Sequence, residues 1–218
     1  MVYKAITNLK DITAQRIRDA SYLLQPRTYF EPEGTNLTQE DLKARGFIKD
    51  PYYSWSRACI IRGALENFVA VLNEKKERGI LLIHRKGNPA KDKLWCIGGE
   101  HKKGFSIEEA LKINAKNECG LNLSDLVCIG YTDVMWGTNS KETKVGTKGV
   151  HDSGPIYYSQ GDGELKFKSL DNEPLIVTPE MWDKKQGELA DLHYHVSNML
   201  NLAMILVVDT FYKNNQFK

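Results

Sequence analysis

Apolar residues recur along this chain at two different spacings, and the spacing changes near residue 58. In LKDITAQRIRDASYLL (9–24), Leu9, Ile12, Ile17, Ala20, Leu23 and Leu24 are spaced as on one face of a helix, which predicts an amphipathic helix limited by Pro26. A loop rich in Pro, Gly and Asn follows, and Thr38 with Asp41 forms a capping-box pattern for a short helix over 38–45 that Gly46 ends. The aromatic-dense segment DPYYSWSR (50–57) serves either to pack this extension onto the rest of the chain or to line a ligand site. Beyond it, CIIRGAL (59–65), NFVAVLN (67–73) and GILLIHRK (79–86) read as strands, with NEKKERG as a charged turn. The apolar run of the last is that of a strand covered on both faces.

The polar loop GNPAKDK (87–93) leads through LWCI (94–97) to a glycine pair, and a helical pattern occupies 106–118. LVCIGYTDVMW (126–136) predicts a long strand and 137–149 a polar loop; GVHDSGPIYYS (149–159) and ELKFKSL (164–170) predict two strands around a QGDG turn. PLIVTPEMW (174–182) gives a strand and then a helix start with Pro179 in its first turn. A long helix runs from Glu188 to about Tyr212, carrying Leu192, Val196, Met199, Leu200, Ala203, Leu206 and Val207. The organisation is a helical extension over 1–57 and an α/β domain over 58–218.

Composition narrows the function little. With 41% hydrophobic and 27% charged residues the chain has the balance of an ordinary globular protein. Its 30 basic and 28 acidic side chains give no bulk attraction for nucleic acid, which is not an expected partner. No apolar run approaches the roughly 18 residues that span a bilayer, so no membrane is expected either. Cys59, Cys96, Cys119 and Cys128 lack CxxC spacing and sit in apolar segments; they read as reduced structural thiols, and the expected compartment is cytoplasmic.

The candidate chemistry lies in GGEHKKGFSIEEALKINAKNECGL (98–121). A glycine turn before a helix exposes backbone groups that suit a phosphate, and Ser106 with Glu109 makes a capping box. At about 100° per residue, Ile107, Leu111, Asn114 and Glu118 share the stripe that faces the sheet. A carboxylate on such a stripe needs a partner: Glu118 pairs with a cation, accepts backbone N–H groups, or binds a metal. Glu108 and Glu109 fall on the solvated side.

The same stretch resembles the Nudix box of diphosphate hydrolases, G-x5-E-x7-R-E-U-x-E-E-x-G-U, where U is apolar. Aligning its last glycine on Gly120 puts the first on Gly99, the U positions on Ala115 and Leu121, and the final glutamate on Glu118. The strand–loop–strand entry over 79–100 and the T-P-E helix start at 178–180 are also similar to that family, so the resemblance covers about 58–210. It implies a Nudix-like α/β/α sandwich with a mixed sheet. The remaining acidic positions of the box fall on Phe105, Asn114 and Asn117, and its arginine falls on Ile113. In ordinary members those carboxylates hold several Mg²⁺ ions, and asparagines cannot replace their charge. The resemblance therefore implies at most one Mg²⁺, bound by Glu118 with the Gly98 or Gly99 carbonyl and Glu100.

The GDP-mannose mannosyl hydrolase branch shows a similar reduction. It keeps the last box glutamate for one Mg²⁺ and uses a histidine near the C-terminus as base to cleave a sugar C–O bond. By that resemblance His193 and His195 are the candidate bases, and their spacing on a helix lets one of them point at the site. Arg85, Lys86, Lys91 and Lys93 flank the glycine turn and are candidates to hold phosphate, together with Gly98 and Gly99. His101, Lys102 and Lys103 lie in the box loop, His151 and Asp152 form a candidate polar pair, and Trp95 and Trp136 either stack a base or pack in the core. Two functions follow: hydrolysis of a nucleoside-diphosphate derivative such as a nucleotide sugar, or binding of a nucleotide or partner without catalysis. A third reading gives the extension a role in partner contact or in a homodimer.

Overall fold

The computed structural model describes residues 13–15, 17–19, 62–85, 92–136, 150–167, 174–185, 187, 189 and 192–215. The expected short helix over 38–45, the aromatic segment 50–57, Lys86, Lys91, Cys59 and the loop 137–149 lie outside these residues, as does the Trp136 side chain. Seven strands form one sheet: β1 (Arg62–Leu72), β2 (Arg78–His84), β3 (Leu94–Trp95), β4 (Ile97–Glu100), β5 (Asn122–Trp136), β6 (Val150–Asp162) and β7 (Pro174–Val177). The helices are α1 (Ile107–Cys119), α2 (Pro179–Lys184) and α3 (Tyr194–Asn215).

The sheet is mixed, and β1 organises it. One edge of β1 runs parallel to β6, which in turn pairs antiparallel with β5. Its other edge is shared by β2 at residues 69–72 and β4 at 64–67, both antiparallel. β3 and β7 pair with β2. Cys96 is therefore the point where the chain leaves β2 for β1.

Alternation along β1 sorts its side chains between two cores. Leu65, Val69 and Val71 join Leu111, Ala115 and Cys119 of α1 on one face. Phe68 and Ala70 join Val196, Leu200, Ala203 and Leu206 of α3 on the other, with Trp182 of α2. This is the α/β/α sandwich with a mixed sheet that the sequence implies. Ala14 and Ile17, both helical, are buried in the α3-side core. Beside them Arg18 pairs with Asp125 at 3.1 Å and reaches Asp209 at 4.0 Å.

Helix α1 starts and stops as its sequence specifies. The Ser106 hydroxyl accepts from the Glu109 amide and the Glu109 carboxylate accepts from the Ser106 amide at 2.8 Å. Gly120 ends the helix in the left-handed region at φ 80, where a Cβ is costly.

Four expected boundaries need correction. The strands at 59–65 and 67–73 are one strand, β1, since both faces are covered and Glu66 finds buried partners; the apparent polar break is not a turn. β5 begins at Asn122 rather than 126, because β6 continues to Asp162 and pairs with it. No strand forms over 164–167. There the Lys166 amide donates to the Cys119 carbonyl at 2.9 Å, and Leu165 and Phe167 pack beside α1. The C-terminal helix starts at Tyr194, not Glu188.

Chemical denaturation checks this assembly. Leu111→Ala, at a side chain 1% exposed, is expected to cost about 3 kcal/mol. Ser106→Ala is expected to cost about 1 kcal/mol. Glu108→Ala, which removes only an exposed pair with Lys112, is expected to cost about 0.3 kcal/mol.

Candidate functional site

The glycine pair lies on β4, directly beside β1: Gly98 opposes Glu66 and Gly99 opposes Leu65. Close approach explains both glycines. A Cβ at Gly98 would lie 2.5 Å from the Leu65 carbonyl oxygen, and one at Gly99 would lie 2.9 Å from Asn114 Nδ2. Neither neighbour has room to move. Asn114 is buried, and its Nδ2 has no hydrogen-bond partner among the described residues.

One turn beyond Asn114, α1 delivers Glu118 to this turn. Its carboxylate accepts the Gly98 N–H at 3.3 Å. Burial raises its pKa to about 7, against the opposing pull of that hydrogen bond and of the Arg85 guanidinium. The sequence expectation that Glu118 faces inward and needs a partner holds, and the partner is a backbone N–H.

A second carboxylate arrives from β1. Glu66 Oε2 lies 2.5 Å from Nε2 of His195, and its Oε1 accepts the Trp95 indole N–H at 3.2 Å. The Glu66 and His195 side chains are only 12% and 10% exposed. Sequence reasoning missed Glu66. Its signal was a lone carboxylate inside the apolar run ALENFVAVL, a position that is either a turn or a buried charge with a partner.

Trp95 links the parts. The Arg85 guanidinium carbon sits 5.2 Å from its ring centroid, within cation–π range. The rings of His193 and His195 lie 5.4 and 5.9 Å from it. Both histidines thus meet the same indole, contrary to the expectation that one of them alone points inward. His193 precedes the first turn of α3 and is not bound by helical spacing. Its Nδ1 accepts the His195 amide at 3.3 Å. Burial holds its pKa below the ordinary value, helped by His195 and Lys93 and opposed by Glu66. Cys96 lies within electrostatic reach of Glu66, Arg85 and Glu118; burial first, then Glu66, pushes its thiol well up, so it is a neutral packing residue.

The structure therefore brings together Arg85, His193 and His195 around Trp95, with Lys93 near His193, while Glu118 meets Gly98 from α1 on the other face of the sheet, within electrostatic reach of Arg85. Gly99 backs onto Asn114, and Glu100 is exposed at the end of β4. His101 closes the box loop instead of facing outward, with Nε2 2.9 Å from the Phe105 carbonyl oxygen. His151 pairs with Asp133 at 2.6 Å rather than with Asp152, because neighbours on a strand point to opposite faces. Trp95 is buried at 3% exposure. Among the described residues, no group of three or more His, Cys, Asp and Glu side chains could hold a metal ion. Glu100 and the glycine carbonyls, expected from the sequence to share a single ion with Glu118, lie on β4, and Glu118 meets that strand at Gly98. No helix among the described residues is long and apolar enough to cross a membrane.

No protein-family model matches the chain, and no curated protein does. The solved structures to which it is similar include a MutT Nudix hydrolase from Burkholderia pseudomallei, at 19% identity and a TM-score of 0.46, covering 66% of this chain and 98% of that one. A Nudix-family hydrolase from Clostridium perfringens is 18% identical with a TM-score of 0.44, covering 69% and 99%. The Nudix domain of Shewanella oneidensis NrtR, complexed with ADP ribose, is 10% identical with a TM-score of 0.46, covering 77% and 97%.

The raised Glu118 pKa sets a pH dependence of stability. The folded state binds this proton more tightly than the unfolded chain, so the group costs nothing below about pH 4.5 and its full penalty is present above about pH 7. At 1.36 kcal/mol per unit the loss is roughly 3 kcal/mol. Metal-free unfolding followed from pH 4.5 to 8 is expected to show this decline, and Glu118→Gln is expected to remove it.

Proposed function

We propose that this chain hydrolyses nucleoside-diphosphate derivatives, nucleotide sugars being the class that suits the site best. One observation carries the reading: the buried Glu118 carboxylate accepts the Gly98 N–H of the glycine turn and lies within electrostatic reach of Arg85, whose guanidinium stacks on Trp95 beside His195. Resemblance of 98–121 to the Nudix box supports it. So does the fit of the donor set to one Mg²⁺. Glu118 is desolvated without full compensation, which a single cation at Glu118, Gly99 and Glu100 would supply, whereas several ions would lack carboxylates. When bound, that ion neutralises charge on the diphosphate leaving group.

The protein's own groups divide the remaining work. Arg85, fixed on Trp95, and Lys93 hold the diphosphate by charge. The Gly98 and Gly99 backbone lets the phosphate oxygens approach closely. His195 removes a proton from the attacking water. His193 is the weaker base: its Nδ1 already accepts the His195 amide.

A second reading has a specific observation behind it. Asn114 is packed on Gly99 and Phe105 packs against the α1-side core, so two former acidic positions of the box serve packing. A nucleotide-binding domain without catalysis needs no more than this.

Turnover of ADP-ribose and GDP-mannose with Mg²⁺ separates the two. The hydrolase is expected to lose at least about 10²-fold in kcat on either His195→Asn or Glu118→Gln, and under tenfold on His193→Asn. Mg²⁺ should raise the melting temperature of the wild type and not that of Glu118→Gln. Full turnover by Glu118→Gln sinks the mechanism. Tight nucleotide binding by calorimetry, without turnover or metal dependence, establishes the binder.

A further inference from the structure

Glu66 has a definite chemical position that the hydrolase reading does not yet use. It sits mid-strand on β1 with a side chain 12% exposed, where an unpartnered carboxylate is strongly disfavoured. An ionised carboxylate only accepts hydrogen bonds, so both of its contacts must come from donors. Trp95 Nε1 carries its hydrogen in every state and occupies Oε1 at 3.2 Å. Oε2 is then left for His195, and at 2.5 Å from the carboxylate Nε2 must be the nitrogen that carries a hydrogen.

We propose that Glu66 is a positioning residue that fixes His195 in the Nε2–H tautomer, making Nδ1 the basic nitrogen of the site. This rests on the hydrolase reading above for its consequence, though not for the tautomer itself. As the water oxygen bonds to the atom under attack, Nδ1 takes the water proton, and the leaving group, a nucleoside diphosphate for attack at the sugar carbon or a phosphate monoester for attack at phosphorus, departs with the electron pair of the broken bond. The imidazolium so formed is held by the Glu66 carboxylate. His193, Lys93 and Arg85 also lie near this pair. A tautomer assignment is read directly and does not depend on their charges.

Trp95 makes the inference sharp. In Glu66→Gln the indole N–H claims the amide oxygen, which turns the amide NH₂ toward His195. Nε2 must then become the acceptor, and the imidazole is driven to the Nδ1–H form. In the double variant Trp95→Phe/Glu66→Gln the amide is free to turn over and accept from Nε2–H again.

The test is a two-bond ¹H–¹⁵N correlation spectrum of uniformly labelled, full-length protein above pH 8, with His195 assigned by its loss in His195→Asn. The wild type is expected to show Nε2 protonated and Glu66→Gln to show Nδ1 protonated. For turnover of GDP-mannose or ADP-ribose, Glu66→Gln is expected to lose roughly 10²–10⁴-fold in kcat, as for other bases held in the wrong tautomer. KM should change less than kcat. The double variant is expected to recover at least about tenfold of that loss. An Nδ1–H wild type overturns the proposal, and so does a Glu66→Gln protein that keeps the Nε2–H form. The wild-type spectrum decides even if the variants fail to fold. If the tautomers follow expectation but no probe is hydrolysed, Glu66's control of His195 stands and the hydrolase reading falls.

Discussion

A carboxylate is built into the strand that both cores share, and the fold depends on giving it hydrogen-bond donors. The Glu66 side chain is only 12% exposed, so water alone cannot satisfy it. Its partners come from two other elements: the Trp95 indole on β3 and the His195 imidazole in the first turn of α3. Leaving such a buried group without its hydrogen-bond partner typically costs about 1–3 kcal/mol. Docking of α3 on the sheet is thereby coupled to the crossing of the chain from β2 to β1 at Cys96. The apolar contacts of Val196, Leu200 and Ala203 supply the attraction for that docking. The hydrogen bond between Glu66 and His195 supplies its register.

The same crossing sets the electrostatic character of the pocket. Burial is the largest influence on Glu118, which it raises, and on His193, which it lowers. Both shifts favour neutral forms, so these two groups carry less charge than a formal count suggests. Arg85 lies on the Trp95 face and opposes the rise at Glu118.

The fold was legible wherever one residue's local physics is decisive. Ser106, Glu109 and Gly120 delimit α1 by capping chemistry alone, and the Glu118 stripe follows from helical spacing. Legibility failed where the deciding partner is distant in sequence. Glu66 looked like a gap between two strands because His195 lies 129 residues away. The segment 164–167 looked like a strand from its composition, but β6 already has β1 and β5 on its two edges, and the segment covers the end of α1 instead. His151 took Asp133 from the neighbouring strand in preference to its own neighbour Asp152. Of the site, the glycine turn, Glu118, Arg85 and both histidines could be read from the chain, and the joint contact of Arg85 and the two histidines with Trp95 could not.

The fit between Gly99 and Asn114 bears on how this sequence can change with time. The second glycine is held open by an amide that occupies the space of its missing Cβ, and that amide stands where the Nudix box has a glutamate. Asn114→Glu would bury a carboxylate behind β4, a cost of several kcal/mol unless a cation receives it. A side chain at position 99 would be forced against the amide. The two residues therefore hold each other in place, and neither changes alone without a penalty.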